Sequence, residues 1–211
     1  MAKELARKLG YVYVDTGAMY RAVTLYCLRH HLFVDNELNA EALQNSLSDI
    51  HISFKFNAKE NKAHTYLNGE DVENDIRSME VSSKVSPVAA EPCVRAKLTE
   101  QQREMGREKG IVMDGRDVGT TIFPNAELKI FLTCSAEIRA ERRFKELQES
   151  GKPADFSKVL ENIQQRDYID RHRKVSPLQK ADDAIVLDNG NMTREEQNAW
   201  LLQKAEEKIK E

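Results

Sequence analysis

Ile111-Val112-Met113-Asp114-Gly115-Arg116-Asp117-Val118-Gly119-Thr120 decides the reading of this chain. A short apolar strand runs into Asp-Gly-Arg-Asp, with a second glycine just beyond. An apolar strand followed by a glycine turn bearing charge is how α/β proteins put polar chemistry at the carboxyl edge of a sheet. The first third repeats the design: Tyr11-Val12-Tyr13-Val14, then Asp15-Thr16-Gly17, then a helix opening Ala18-Met19-Tyr20-Arg21. Two such strand ends, each offering an Asp and an Arg, point to a phosphorylated ligand.

Length and composition bound what surrounds these turns. The 211 residues suffice for one large α/β domain or a core with an insert, and 40% hydrophobic residues is ordinary for a fold with a real core. A net charge of −3 and a pI near 6.0 argue against nucleic acid as a partner. Cys27, Cys93 and Cys134 are far apart and lack C-x-x-C spacing, which speaks against a metal site or disulfide framework and for a reducing compartment. There is no run of about 18 apolar residues and hence no expected membrane partner. The charged start MAKELARKLG lacks the apolar centre of a signal peptide. The expectation is a cytoplasmic monomer.

Around the two turns the pattern alternates strand and helix. Leu5 and Leu9 share a helical face over residues 2–9, with Gly10 as the carboxyl cap, and a strand follows at 11–14. Residues 17–31 read as helix. Residues 49–72 change character: His51 to Phe56 and His64 to Leu67 alternate with period two, and Asn68-Gly69 is a hairpin signal. A small antiparallel insert is expected there, within a subdomain 36–77, the core being 1–35 with 78–211. Residues 79–108 return to helix, with interruptions expected at Pro87 and Pro92. Strands at 111–113, 128–133 and 184–187 alternate with helices at 136–149, 157–172 and 193–209. The fold class is therefore α/β, a mostly parallel sheet with helices on both faces. Gly151-Lys152-Pro153 marks a hinge in an expected lid at 145–158.

Three constellations could carry chemistry. Arg166, Asp170 and Arg173 lie four and three apart, on one helical face. They read equally as a solvated ion pair of small consequence and as a fork of arginines and a carboxylate, gripping phosphate or base edge while accepting from sugar hydroxyls. Arg139, Arg142 and Arg143 are either a surface helix or a mobile arm bringing positive charge to a transferring phosphoryl group, where one arginine is worth roughly 10³–10⁵ in rate. Asp114-Gly115-Arg116-Asp117 could be a plain βα loop, but strand-end charges in such sheets more often face a ligand. Asp15 has a structural reading as the cap of the next helix, and capping does not exclude binding. The five histidines show no zinc spacing.

VDTGAMYR, SSKVSPVAAEPCVR, DGRDVGT followed by FPNAELKIFL, and QRDYIDRHRKVSPL resemble bacterial cytidylate kinase in order and spacing over nearly the whole chain. The resemblance implies a P-loop kinase fold whose antiparallel insert belongs to the monophosphate-binding region. It implies ATP with Mg²⁺ as phosphoryl donor, and CMP or dCMP as acceptor, giving CDP or dCDP. Carried onto this chain, it puts Thr16, Arg95, Asp117 and Arg173 at the cytosine, and Ser86, Arg166 and Asp170 at the sugar. Arg21 and Arg116 would hold the acceptor phosphate, with Tyr20 also in the substrate site. Asp15, Arg116, Arg139 and Arg143 would be the catalytic group, Asp15 near metal and acceptor.

One motif of that family is not among these residues. A phosphate-cradling G-x-x-x-x-G-K-S/T loop precedes the first helix in such folds, and no stretch of this sequence has that form. Gly151-Lys152 does not supply it, because Glu146 and Pro153 stand at the flanking positions. No ATP-phosphate cradle is therefore assigned, no metal ligand is named, and the chain is expected to be truncated at its amino end and impaired in transfer. The alternatives are another nucleoside monophosphate kinase, or a remnant that binds CMP without turnover.

Overall fold

The first helix, α1 (Ala2–Leu9), stops where Gly10 turns left-handed with φ of 69°, its N–H returning to the carbonyls of Ala6 and Arg7. Glycine takes that conformation without steric cost. The computed structural model describes residues 1–57, 62–151 and 153–210, with Phe56 and Lys62 through their backbone only. These form two compact units, Met1–Val14 with Gly106–Glu211, and Asp15–Met105. The expected division at 36 and 77 follows the antiparallel strands, whereas the units part at residue 15 and after residue 105.

The Asp15–Met105 unit is built on α2 (Thr16–Arg29). Its sequence TGAMYRAVTLYCLR is apolar nearly all round, and ten of its residues, from Thr16 to Cys27, are buried. A helix of that kind belongs inside. Around it stand β2 (Phe33–Val34), β3 (Glu37–Leu38), α3 (Ala40–Ser46), β4 (Ile52–Asn57), β5 (Lys62–Leu67), β6 (Glu70–Asp71), α4 (Met79–Ala90) and α5 (Pro92–Met105). Met19, Val23 and Cys27 of α2 join Leu43, Ile50, Val72, Ile76, Val81, Val88 and Leu98 in one hydrophobic core. The helix packs chiefly on α4, then on the turn Asp75–Arg77 and on β5.

The antiparallel strands fall where the alternation placed them. β4 pairs with β5 from Ile52↔Leu67 to Asn57↔Lys62, and β6 adds to β5 through Leu67↔Glu70. Asn68 and Gly69 close that hairpin with φ of 50° and 87°, the double positive φ that a two-residue turn between twisted strands requires. Residues 58–61 of the expected insert lie outside the described residues. Pro87 does not interrupt its helix: it sits inside α4, where its missing N–H forgoes one bond, to the Ser83 carbonyl, that the packing of α4 on α2 outweighs. The break is at Glu91, and Pro92 opens α5 at the position where its missing N–H costs nothing.

The second unit carries α1, the strand residues Val12–Val14 of β1 (Val12–Asp15), β7 (Ile111–Asp114), β8 (Ile130–Thr133), α6 (Ala136–Glu149), α7 (Phe156–His172), β9 (Ile185–Asp188) and α8 (Arg194–Ile209). Ser135, Asp155 and Thr193 cap α6, α7 and α8 by accepting backbone N–H groups, and Thr193 forms a reciprocal box with Glu196. α6 packs along α7, and Phe144 meets Phe156 edge-on at 6.0 Å. Lys152 of the expected hinge lies outside the described residues. β8 and β9 are parallel, registered from Ile130↔Ile185 to Thr133↔Asp188.

The α/β class expected from the sequence holds, and parallel strands are present. Among the described residues the strands of this unit form two separate pairs, β1 with β7 and β8 with β9. Each pair keeps open edges, and side chains that a covered parallel sheet would bury are exposed: Val12 at 65%, Leu132 at 47% and Val186 at 50%.

Close packing at Gly106 gives a direct test of this unit. A Cβ there would lie 2.3 Å from Cζ of Phe123. Gly106→Ala is expected to lower stability by about 1–3 kcal/mol, the usual cost of overpacking. Urea unfolding checks this; an unchanged midpoint would mean that the Phe123 ring is free to step aside.

Candidate active site

Asp15 ends β1 and caps α2, and both its oxygens are occupied. Oδ1 accepts the N–H of Ala18 at 3.0 Å. Oδ2 accepts Nη2 of Arg21 at 2.7 Å and Nη2 of Arg77 at 3.0 Å. Gly17 leaves room for this arrangement, since a Cβ there would meet Arg21 Nη1 at 2.9 Å and Asp15 Oδ1 at 3.1 Å. Burial opposes the charged carboxylate, but Arg21 and Arg77, helped by the Ala18 N–H, outweigh it and hold the Asp15 pKa below the ordinary range. Burial likewise opposes the Arg77 guanidinium, and Asp15 with Glu73 overcomes it.

Deeper in the same unit, Arg95 is 2% exposed. Its guanidinium lies 5.4 Å from the Tyr20 ring centroid and donates from Nη1 to the Ala89 carbonyl at 3.1 Å. A cation held over an aromatic face is stabilised there. Thr16, Tyr20 and Ser86 are all buried. This unit thus joins Asp15 to Arg21 and Tyr20 to Arg95, the latter a pairing that sequence spacing alone does not reveal.

The other unit gathers a second charged group. After β7 the chain makes a π-helical turn, Val118–Ile122, with Phe123 N–H bonded to the Val118 carbonyl at 2.7 Å. Such turns recur at functional positions. The turn begins at Asp117, 3% exposed, whose Oδ1 is 3.8 Å from Nη2 of Arg173. Asp170 accepts Nε of Arg116 at 3.1 Å and Nη1 of Arg173 at 3.5 Å. The Ser176 carbonyl accepts Nε and Nη2 of Arg173 at 2.8 and 2.6 Å. Arg116, Asp117, Asp170 and Arg173 are therefore one network, and the fork on α7 is not a solvated pair. Arg166, half-buried, precedes Asp170 on that helix.

The arginines of α6 are held individually. Arg139 forms a two-pronged pair with Asp167, at 3.0 and 2.6 Å. Arg142 donates to the carbonyls of Asn189 and Gly190 at 2.8 and 3.2 Å, and Arg143 meets Glu146 at 3.4 Å. Two residues escaped the sequence reading, Arg77 and Glu73, joined at 3.1 Å. Their only signal was the four-residue spacing just ahead of the Ser78 cap.

Comparison with known families makes this chain a nucleoside monophosphate kinase of the P-loop kinase fold. The family model for cytidylate kinase matches residues 1–207, and the chain belongs to that family. It is 58% identical to the cytidylate kinase of Parabacteroides distasonis over 96% of this chain and 89% of that protein. It is 55% identical to that of Bacteroides fragilis, over 100% and 92%, and 56% identical to that of Porphyromonas gingivalis, over 98% and 90%. A match that begins at residue 1 lends no support to the expected amino-terminal truncation. Among the described residues no helix is long and apolar enough to cross a membrane.

The depressed Asp15 pKa has a defined consequence for stability. A carboxylate whose folded pKa lies below its unfolded value stabilises fully above the unfolded value, and loses that effect as pH falls through the folded one. Asp15→Asn is therefore expected to be less stable than the wild type near neutrality, with the gap closing in acid below the ordinary Asp range. Urea midpoints taken at a series of pH values check this. A gap that persists undiminished into acid would contradict it.

Proposed function

We propose that this protein transfers the terminal phosphoryl group of ATP to CMP or dCMP, giving CDP or dCDP. The observation that carries the reading is the network of Arg116, Asp117, Asp170 and Arg173, with Asp117, Asp170 and Arg173 all buried. Buried carboxylates and guanidiniums are costly unless they are paired, and pairs of this kind offer the mixed donors and acceptors that a cytosine edge and a ribose demand. In this reading Asp117 and Arg173, with Thr16 and Arg95, serve the base. Asp170, Arg166 and Ser86 serve the sugar. Arg21 and Arg116 serve the acceptor phosphate, with Tyr20 in contact with the substrate. Catalysis is positioning and charge stabilisation, with Asp15, Arg116, Arg139 and Arg143 as the catalytic group.

The residues present do not make a cage for Mg²⁺. Among the described residues no three His, Cys, Asp or Glu side chains gather as ligands, and both oxygens of Asp15 are taken by Arg21, Arg77 and Ala18. Mg²⁺ in such enzymes is carried largely by substrate phosphates and water, and no step is assigned to it. The same reading takes the enzyme to be a cytoplasmic monomer, in keeping with three unpaired cysteines.

A second reading, CMP binding with little turnover, is favoured by one observation: the sequence contains no G-x-x-x-x-G-K-S/T loop, whose converging N–H groups and lysine bind ATP phosphates. A coupled ADP-release assay with CMP, UMP and AMP separates the possibilities. The expected outcome for these 211 residues is slow ADP release that depends on CMP and exceeds that with UMP or AMP, whereas CMP binding by calorimetry with no CMP-dependent ADP release would favour the second reading. Rapid turnover would mean that other groups bind the donor phosphates, and a preference for UMP or AMP would point to another monophosphate kinase.

Arg173 supplies the test of the base site. Arg173→Ala is expected to weaken CMP binding by about 1.5–3 kcal/mol, the worth of a charge-assisted hydrogen bond. Arg173→Lys keeps the charge while losing the fork, and should weaken binding while lowering the melting temperature less than Arg173→Ala does. Calorimetry reads both; unchanged affinity in the folded lysine variant removes Arg173 from the site.

A further inference from the structure

Glu73 lies between the antiparallel strands and the amino end of α2, and the proposed reaction gives it no role. It is 8% exposed. Its Oε2 accepts the N–H and the hydroxyl of Thr65 at 3.2 and 2.9 Å, fixing it to β5. Its Oε1 accepts Nη2 of Arg77 at 3.1 Å. That same Nη2 donates to Oδ2 of Asp15 at 3.0 Å, the oxygen that Arg21 also reaches. The backbone of Glu73 is held in turn, its N–H donating to Oδ1 of Asp71 at 3.1 Å. Asp71 pairs through Oδ2 with Nδ1 of buried His64 at 2.7 Å. The line from β5 and β6 to Asp15 is therefore continuous.

We propose that Glu73 is a positioning residue for the acceptor nucleotide, acting through Arg77. A guanidinium shared by two carboxylates on different elements is fixed from both sides, so it keeps its place if one carboxylate yields to a competing anion. Asp15 is the partner that has to accommodate the incoming phosphate, since it caps α2 and already holds Arg21. Glu73, bound to Thr65 on a strand, is the anchor. Supporting contacts of this type fix the side chains that touch a ligand, and their loss loosens the site without removing a contact to the ligand itself. The antiparallel strands thereby take part in setting the phosphate end of the site. The assignment rests on the CMP reading above.

The test is a double-mutant cycle on CMP affinity, with Glu73→Gln, Arg77→Ala and the pair together. Glu73→Gln keeps the size of the side chain and loses its charge. It is expected to weaken CMP binding about tenfold, within the coupling found between residues of one hydrogen-bond network. In the Arg77→Ala background the same substitution should change affinity less than about twofold. Glu73→Asp, which keeps the charge, should recover part of the loss. In parallel, the guanidinium resonance of Arg77 in nitrogen NMR should be slow to exchange in the wild type and fast in Glu73→Gln at an unchanged melting temperature. A Glu73→Gln loss of equal size in both backgrounds, no loss at all, or an Arg77 resonance indifferent to Glu73 would overturn the proposal while leaving CMP binding intact. A wild type that does not bind CMP would overturn the functional reading, and this role with it.

Discussion

Everything around α2 depends on what Asp15 does with its two oxygens. One closes the helix by accepting the Ala18 N–H, and the other takes Arg21 and Arg77. The first contact decides that α2 begins at Thr16, and therefore which faces of TGAMYRAVTLYCLR turn to α4 and β5. The second fixes the arginines relative to that same helix end. Structure and chemistry are thus tied to one carboxylate. A change there acts on the cap, worth about 0.5–2 kcal/mol in general, and on two ion pairs at once. The requirement at Gly17 is part of the same constraint, because a side chain there would occupy the space of the Asp15–Arg21 pair.

The network of the other unit obeys a different economy. Asp117, Asp170 and Arg173 are nearly inaccessible to solvent, and such groups are held at a net cost unless every lone pair and proton finds a partner. The chain meets that requirement locally. Ser176, with φ of 47°, turns its carbonyl to accept two donors of Arg173, and the Asp170 carbonyl accepts the Leu178 N–H at 2.7 Å. The loop after α7 folds back on the helix end that carries the cluster. On the proposed reading, that fixed geometry is what the nucleotide meets.

Much of this was legible in the sequence, because the signals were local. The period-two runs gave β4 and β5, Asn68-Gly69 gave the hairpin, and the motifs singled out Asp15, Arg21, Asp117, Asp170 and Arg173. What was illegible depends on non-local packing. The Tyr20–Arg95 contact joins α2 to α5, and Arg77 reaches Asp15 from 62 positions away. Pro87 showed the limit of a propensity rule: proline inside a helix forgoes one bond, and the packing of α4 on α2 outweighs it.

Both charged groups share one feature with a consequence for selectivity. In each, two carboxylates face two guanidiniums: Asp15 and Glu73 with Arg21 and Arg77, and Asp117 and Asp170 with Arg116 and Arg173. A site of bare arginines would attract any anion and would leave its own side chains disordered until one arrived. Arginines already paired give up part of that attraction, because an entering phosphate has to displace a carboxylate. In return the ordering entropy of long side chains is met during folding rather than on binding. An anion that makes only one of the contacts gains too little to break a pair, whereas a ligand that satisfies several groups together recovers the loss. On the proposed reading the carboxylates of each group act as a threshold that a lone anion does not clear.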